Sequence, residues 1–259
     1  MLRYARRRAA LLTSPVELVD RVCNKLEVLH DERRTPHHGK LASPRGDRDW
    51  LDALVGFLDA PPADGFSRVW DQIVSELGEL EQLDADVRLA EVVWQITRAV
   101  RPQVMLETGV SRGVITRVAL EAMEVNGCGR LWSIDLPPHD LPDNQARTVV
   151  DRRLYSRWVY LHGSSRRHLR PLLRRLGPID VFVHDSQHTE RNMRFELSHA
   201  MGALRPGGIL VSDDVHSNEA WARVVGSDGL VIDHATKDGL VGVARAPTIG
   251  RSAAVNPRV

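Results

Sequence analysis

Five stretches of this 259-residue chain gather side chains that can bind or activate a small molecule. They are Glu107-Thr108-Gly109-Val110-Ser111-Arg112-Gly113, Asp135, His162-Gly163-Ser164-Ser165, His184-Asp185-Ser186-Gln187-His188 and Ser212-Asp213-Asp214. In the first, glycines let the backbone pass close to a ligand with no Cβ in the way. A helix starting there would offer its first N–H groups to a carboxylate. Asp135 can accept both hydroxyls of a ribose, as acidic residues do in nucleotide-binding folds. The last two stretches carry three carboxylates, Asp185, Asp213 and Asp214. Converging on one point, they would repel unless protonated or bound to a cation. Oxygen-only ligands suit a hard ion such as Mg²⁺. Bland readings stand beside these: His188 could cap a helix beginning near Thr189, and Asp213-Asp214 could be a plain turn. A zinc pair of His184 and His188 is disfavoured, since no HExxH pattern is present.

The elements that must position these residues are legible as alternating strand and helix signals after Pro102. Short apolar runs predict strands at Val104-Leu106, Leu131-Ile134, Val159-Leu161, Val181-Val183 and Gly208-Val211. Thr189 caps a predicted helix whose Met193, Leu197, Met201 and Leu204 share a face, and Arg205-Pro206-Gly207 stops it. Leu230-Ile232 and Leu240-Val243 flank Lys237-Asp238-Gly239, a predicted hairpin turn. The expectation is an α/β, Rossmann-like fold with a mostly parallel seven-stranded sheet and a C-terminal hairpin. In such sheets ligands sit beyond the carboxyl ends of the strands, and each stretch above lies at one of those ends.

The first stretch reads E-x-G-x-S-x-G, which lacks the glycine spacing of a dinucleotide fold and so disfavours a nicotinamide-dependent oxidoreductase. It resembles motif I of class I S-adenosylmethionine-dependent methyltransferases, with Ser111 in place of the middle glycine. The resemblance implies that Glu107, Gly109, Ser111 and Gly113 wrap the methionine part of the cofactor. Asp135 then takes the ribose, and Ser164 is carried over as an adenine contact. The D-x-x-H after the fourth strand, with P-G-G and an acidic pair around the fifth, is similar to the metal-dependent O-methyltransferases of the macrolide-sugar type. Cephalosporin-hydroxylase-like proteins share it. That likeness covers about residues 103–220 and implies Asp185, Asp213 and Asp214 as ligands of Mg²⁺ or another divalent cation. It implies His188 as general base, a role suited to an imidazole.

The expected activity is O-methylation of a small polyhydroxylated acceptor, a saccharide by resemblance. A catechol would satisfy the same geometry, and a non-catalytic cofactor-binding protein would need neither the acidic pair nor His188. Lysine plus arginine (35) balances aspartate plus glutamate (34), which gives no electrostatic case for nucleic acid. The arginines at 3, 6, 7 and 8 precede too short an apolar run for a secretory signal, and no run is long enough for a membrane span. Two cysteines make no disulfide framework. A cytoplasmic protein is expected. Residues 1–100 form a helical region with a linker near 31–49, residues 101–247 the catalytic domain and 248–259 a tail. Predicted helices run over 16–29, 50–58, 66–77 and 87–100. They would cover the cleft, supply acceptor specificity or build a homo-oligomer. Trp50, Trp70 and Trp94 read as core or subunit contacts, with Trp50 also a candidate lid residue, and His216 and Trp221 are candidates to face an acceptor sugar.

Overall fold

The computed structural model describes residues 15–31, 49–77, 85–137 and 148–248. The arginine cluster at 3–8, positions 32–48 of the expected linker, the Pro-rich stretch with His139 and Asp140, and the tail from 249 lie outside the described residues. Four helices come first: α1 (Pro15–Asp31), α2 (Asp49–Leu58), α3 (Phe66–Leu77) and α4 (Val87–Val100). Then follow β1 (Val104–Thr108), α5 (Val114–Asn126), β2 (Arg130–Asp135), a 3₁₀ turn (Arg152–Arg157) and β3 (Trp158–His162). The chain continues through α6 (Ser165–Leu176), β4 (Ile179–His184), α7 (Glu190–Ala203), β5 (Leu204–Ser212), α8 (Ala220–Val224), β6 (Leu230–Asp233) and β7 (Leu240–Arg245).

The seven strands form one sheet in the order β3-β2-β1-β4-β5-β7-β6. All neighbours are parallel except β7, which runs antiparallel to β5 and β6. Alternation along each strand divides the core. Met105, Leu131, Val181 and Ile209 face one side and pack with α2, α3, α4 and α5; Leu106, Ile134, Phe182 and Leu210 face the other with α6, α7 and α8. Both faces are covered, as a largely parallel sheet requires. Trp50 and Trp94 are buried in the first of these layers, and the Arg88 guanidinium lies over the Trp50 ring at 4.2 Å. Trp50 is therefore core rather than lid. Trp221 is likewise buried, packed under the sheet near Gly229 and Gly242, and cannot face an acceptor.

Two boundaries differ from the sequence reading. Leu204 is the first residue of β5, not the last of the helix, because it pairs with Ile179 of β4 across a register shift. The β6–β7 turn spans residues 234–239, wider than the three residues expected. The cause is Asp86, the N-cap of α4, whose carboxylate accepts from Ala235 N at 3.1 Å, Thr236 N at 2.9 Å and Thr236 Oγ1 at 2.6 Å.

Helix α1 follows the predicted periodicity but turns its apolar stripe outward, with Val19 and Leu26 each 60% exposed. Its acidic side meets the basic rim of the cleft. Asp20 pairs with Arg167 at 3.1 Å, Glu27 with Arg166 at 3.1 Å, and Asp31 accepts from Glu190 N at 2.8 Å. Ion pairing at the rim, rather than apolar burial, orients this helix. No helix among the described residues is long and apolar enough to cross a membrane.

Candidate functional site

Because β1, β4 and β5 are neighbours, the loops after them open into one cleft. A cavity of about 250 Å³ lies there, lined by Gly109, Ser111, Asp135, Ser164, Asp185 and, from α1, Asn24 among others. The β1 loop is bent to make it: Gly109, Ser111 and Gly113 all have positive φ, at 84°, 48° and 92°. A Cβ on Gly109 would sit 2.0 Å from the Asp185 carbonyl oxygen, so only glycine lets the β1 and β4 loops approach this closely. Gly113 opens α5 with no side-chain cap. That leaves the helix start suited to an anionic group.

Glu107 and Gly113 do not line the cavity. Glu107 lies beneath it, fully buried, and accepts from Thr116 Oγ1 and Ser133 Oγ, each at 2.7 Å. Burial pushes its carboxyl up to about 7, helped by the neighbouring charge of Asp135. Asp135 is raised to about 6, chiefly by burial, although backbone N–H groups of Val110 and Ser111 oppose the shift. Its Oδ2 is buried with no hydrogen-bond partner. A ribose hydroxyl would supply the missing donor, so the residues fit a nucleoside cofactor. Ser164 lines the cavity and also caps α6, accepting from Arg167 N at 3.4 Å.

On the other side of the cleft stand the D-x-x-H and the acidic pair. Thr189, not His188, caps α7, accepting from Asn192 N at 3.3 Å. The His188 ring is thereby directed at the pair, with Nδ1 3.3 Å from Asp214 Oδ2 and Nε2 4.0 Å from Asp213 Oδ2. Ligand atoms of Asp185, His188 and Asp213 lie within 4.8 Å of one another. Asp185 is raised well above the usual carboxylate range, first by burial and then by the charges of Asp213 and Glu107. Asp214 adopts φ 48°, a left-handed conformation that a non-glycine residue holds only under constraint. His188 Nε2 is buried with no hydrogen-bond partner among the described residues, and the Oδ atoms of Asp213 and Asp214 meet the cationic side chains of His234 and Lys237. Carboxylate oxygens crowded this closely fit a divalent cation.

Sequence reasoning missed His234, Lys237 and Glu196, which complete this region together with His184. His234 Nε2 lies 2.9 Å from Asp213 Oδ1 and 3.4 Å from Asp214 Oδ1, and its Nδ1 lies 3.1 Å from Asp86. Burial opposes charge on this ring, but the three carboxylates outweigh it and hold the imidazolium up to about 10. The Lys237 Nζ lies 3.2 Å from both Asp213 Oδ2 and Asp214 Oδ2. Behind His188, the buried His184 Nδ1 meets Glu196 Oε2 at 2.6 Å. Burial would raise Glu196, yet His184 and the hydroxyls around it hold its carboxyl down to about 2. His234 and Lys237 lie far along the chain from the acidic pair, so no local motif marks them, while His184 reads in the sequence only as a candidate zinc ligand and Glu196 carries no motif of its own.

Residues 106–215 match the family described as a methyltransferase domain. No curated protein matches the chain. Among solved structures it is similar to the O-methyltransferase TomG from Streptomyces achromogenes, involved in tomaymycin synthesis and bound to S-adenosylmethionine. The identity is 14% and the TM-score 0.53, over 79% of this chain and 100% of that one. It is also similar to cofactor-bound Rv0187 from MTB, at 16% identity and TM-score 0.54, over 79% and 100% of the two chains. At these identities the likeness is one of fold.

Proposed function

We propose, starting from a chain that carries a class I S-adenosylmethionine-dependent methyltransferase domain, that it is a divalent-metal-dependent O-methyltransferase of small polyhydroxylated acceptors. The acceptor class is a sugar of a glycoside, oligosaccharide or natural product. It rests on the likeness of the D-x-x-H and acidic-pair motifs to macrolide-sugar enzymes. One observation carries the reading: Asp185, His188 and Asp213 converge at the edge of the cavity that Gly109, Ser111 and Asp135 line.

The chain's own residues divide the work. Asp135 Oδ2 would accept a hydrogen bond from a ribose hydroxyl, and the start of α5 would receive the cofactor carboxylate. When bound, S-adenosylmethionine would supply an electrophilic methyl carbon with a neutral thioether as its leaving group. Asp185, Asp213 and Asp214 would hold the cation, whose chemistry is to lower the pKa of a hydroxyl and fix its position. An Asp214 carboxylate can only accept, so His188 Nδ1 carries the proton in their contact. Nε2 then keeps its lone pair, has no partner in the protein, and takes the acceptor proton as the new C–O bond forms.

The test is transfer of labelled methyl to a panel of sugars, glycosides and catechols, with and without EDTA. Transfer to a sugar diol that EDTA abolishes and Mg²⁺ restores is the expected result. Full turnover in EDTA would overturn the metal part, and exclusive use of catechols the acceptor class.

A further inference from the structure

The two aspartates at the end of β5 are held from both sides. Their Oδ1 atoms share His234, and their Oδ2 atoms share the Lys237 ammonium on the side where His188 stands. Lys237 is not a surface lysine that happens to lie near. Its turn is fastened to the buried Asp86, and Gly239 closes it so tightly that a Cβ there would lie 2.8 Å from Asp214 Oδ1. The backbone is fixed, while the side chain remains 43% exposed on a flexible four-carbon stem. It can leave its place without moving the fold.

We propose that the Lys237 ammonium is a built-in occupant of the acidic pair, which a divalent cation must displace in order to bind. The proposal rests on the metal reading above and deepens it. A hard dication takes carboxylate oxygens at roughly 2.0–2.6 Å. An ammonium touching the same two Oδ2 atoms would then sit next to it, where like charges repel strongly. The lysine keeps the pair neutralised when no ion is bound and weakens the site for any ion that arrives. Metal binding and Lys237 contact are therefore mutually exclusive.

Mn²⁺ binding to the full chain, followed by the spin-resonance signal of free Mn²⁺ and needing no turnover, tests this. Lys237→Met is expected to bind Mn²⁺ at least about tenfold more tightly than the parent, the scale of removing one adjacent competing charge. Lys237→Arg, which keeps the cation, is expected to bind no more tightly than the parent. Equal or weaker binding by Lys237→Met, or tighter binding by Lys237→Arg, overturns the proposal while leaving a metal site in place. Binding by Lys237→Met but not by the parent supports displacement in its extreme form and removes metal dependence from the natural chain. No binding by any of the three overturns both readings.

Discussion

At the ends of β1 and β2 the buried carboxylates of Glu107 and Asp135 meet hydroxyls and backbone N–H groups, and among the described residues the His162 side chain acts to lower Asp135. At the end of β5, Asp213 and Asp214 meet His234 and Lys237. Both regions bury acid, but the first leaves it raised toward neutrality and the second holds it low. Burial alone penalises a carboxylate, and at the acidic pair the neighbouring cationic side chains reverse the sign. The first region is thus short of positive charge, which the sulfonium and ammonium of a cofactor would bring. The second carries its own. One cleft holds a half that a ligand completes and a half that a ligand must rearrange.

That contrast is most easily broken at His188, whose Nε2 has no hydrogen-bond partner among the described residues. His188→Ala is expected to lower kcat by about 10²–10⁴-fold, the usual scale for a general base. Cofactor affinity, measured by calorimetry, should be unchanged because the ring lies outside the β1–β3 half. Undiminished turnover would remove His188 from the mechanism. Gly109→Ala strikes the seam between the two halves. With a Cβ set against the Asp185 carbonyl and φ 84°, it should cost about 2–4 kcal/mol of stability by denaturant unfolding. A loss under half a kilocalorie would mean that the loops can separate freely, by the scale of ordinary surface substitutions near 0.5 kcal/mol.

Asp135→Asn sharpens the first half alone. It keeps the shape but weakens the acceptor, so cofactor affinity should fall roughly tenfold while Mn²⁺ affinity stays put. Glu107→Gln tests the charge shortage through pH. The native carboxyl titrates near 7 and the free one near 4.5, so the folded chain binds the extra proton between those values. Stability contributed by this group is full below 4.5 and lost as pH rises through 7. The variant should therefore gain on the parent from pH 4.5 to 7.5, by at most about 3 kcal/mol. A pH-independent difference in melting would show that Glu107 is not proton-bound in the fold. The smallest effect belongs to α1. Its rim pairs each contribute roughly 0–1 kcal/mol and are screened by salt. Hydrogen exchange over residues 15–31 should quicken modestly in molar salt, with that over β1 and β4 unchanged.

The split between legible and hidden features runs along the same line. The β1 loop was readable because its constraint is local: a strand must turn into a helix within a few residues, and glycine is the residue that permits the φ values required. The acidic side was half readable. Asp185, His188, Asp213 and Asp214 stand at predictable strand ends, but the cationic partners of the acidic pair, His234 and Lys237, come from a turn about twenty residues on, and Asp86, which braces that turn, caps a helix before the sheet.

The strands, their order of use and the chemistry at their ends were set by short-range pattern, since period and turn residues act over one or two turns of chain. The outward apolar face of α1, the burial of Trp50 and Trp221, and the capture of Asp213 and Asp214 by His234 and Lys237 were decided by packing. Those depend on which distant charges and surfaces the closed sheet brings within a few ångströms, and Coulomb attraction and burial act across space without regard to sequence distance.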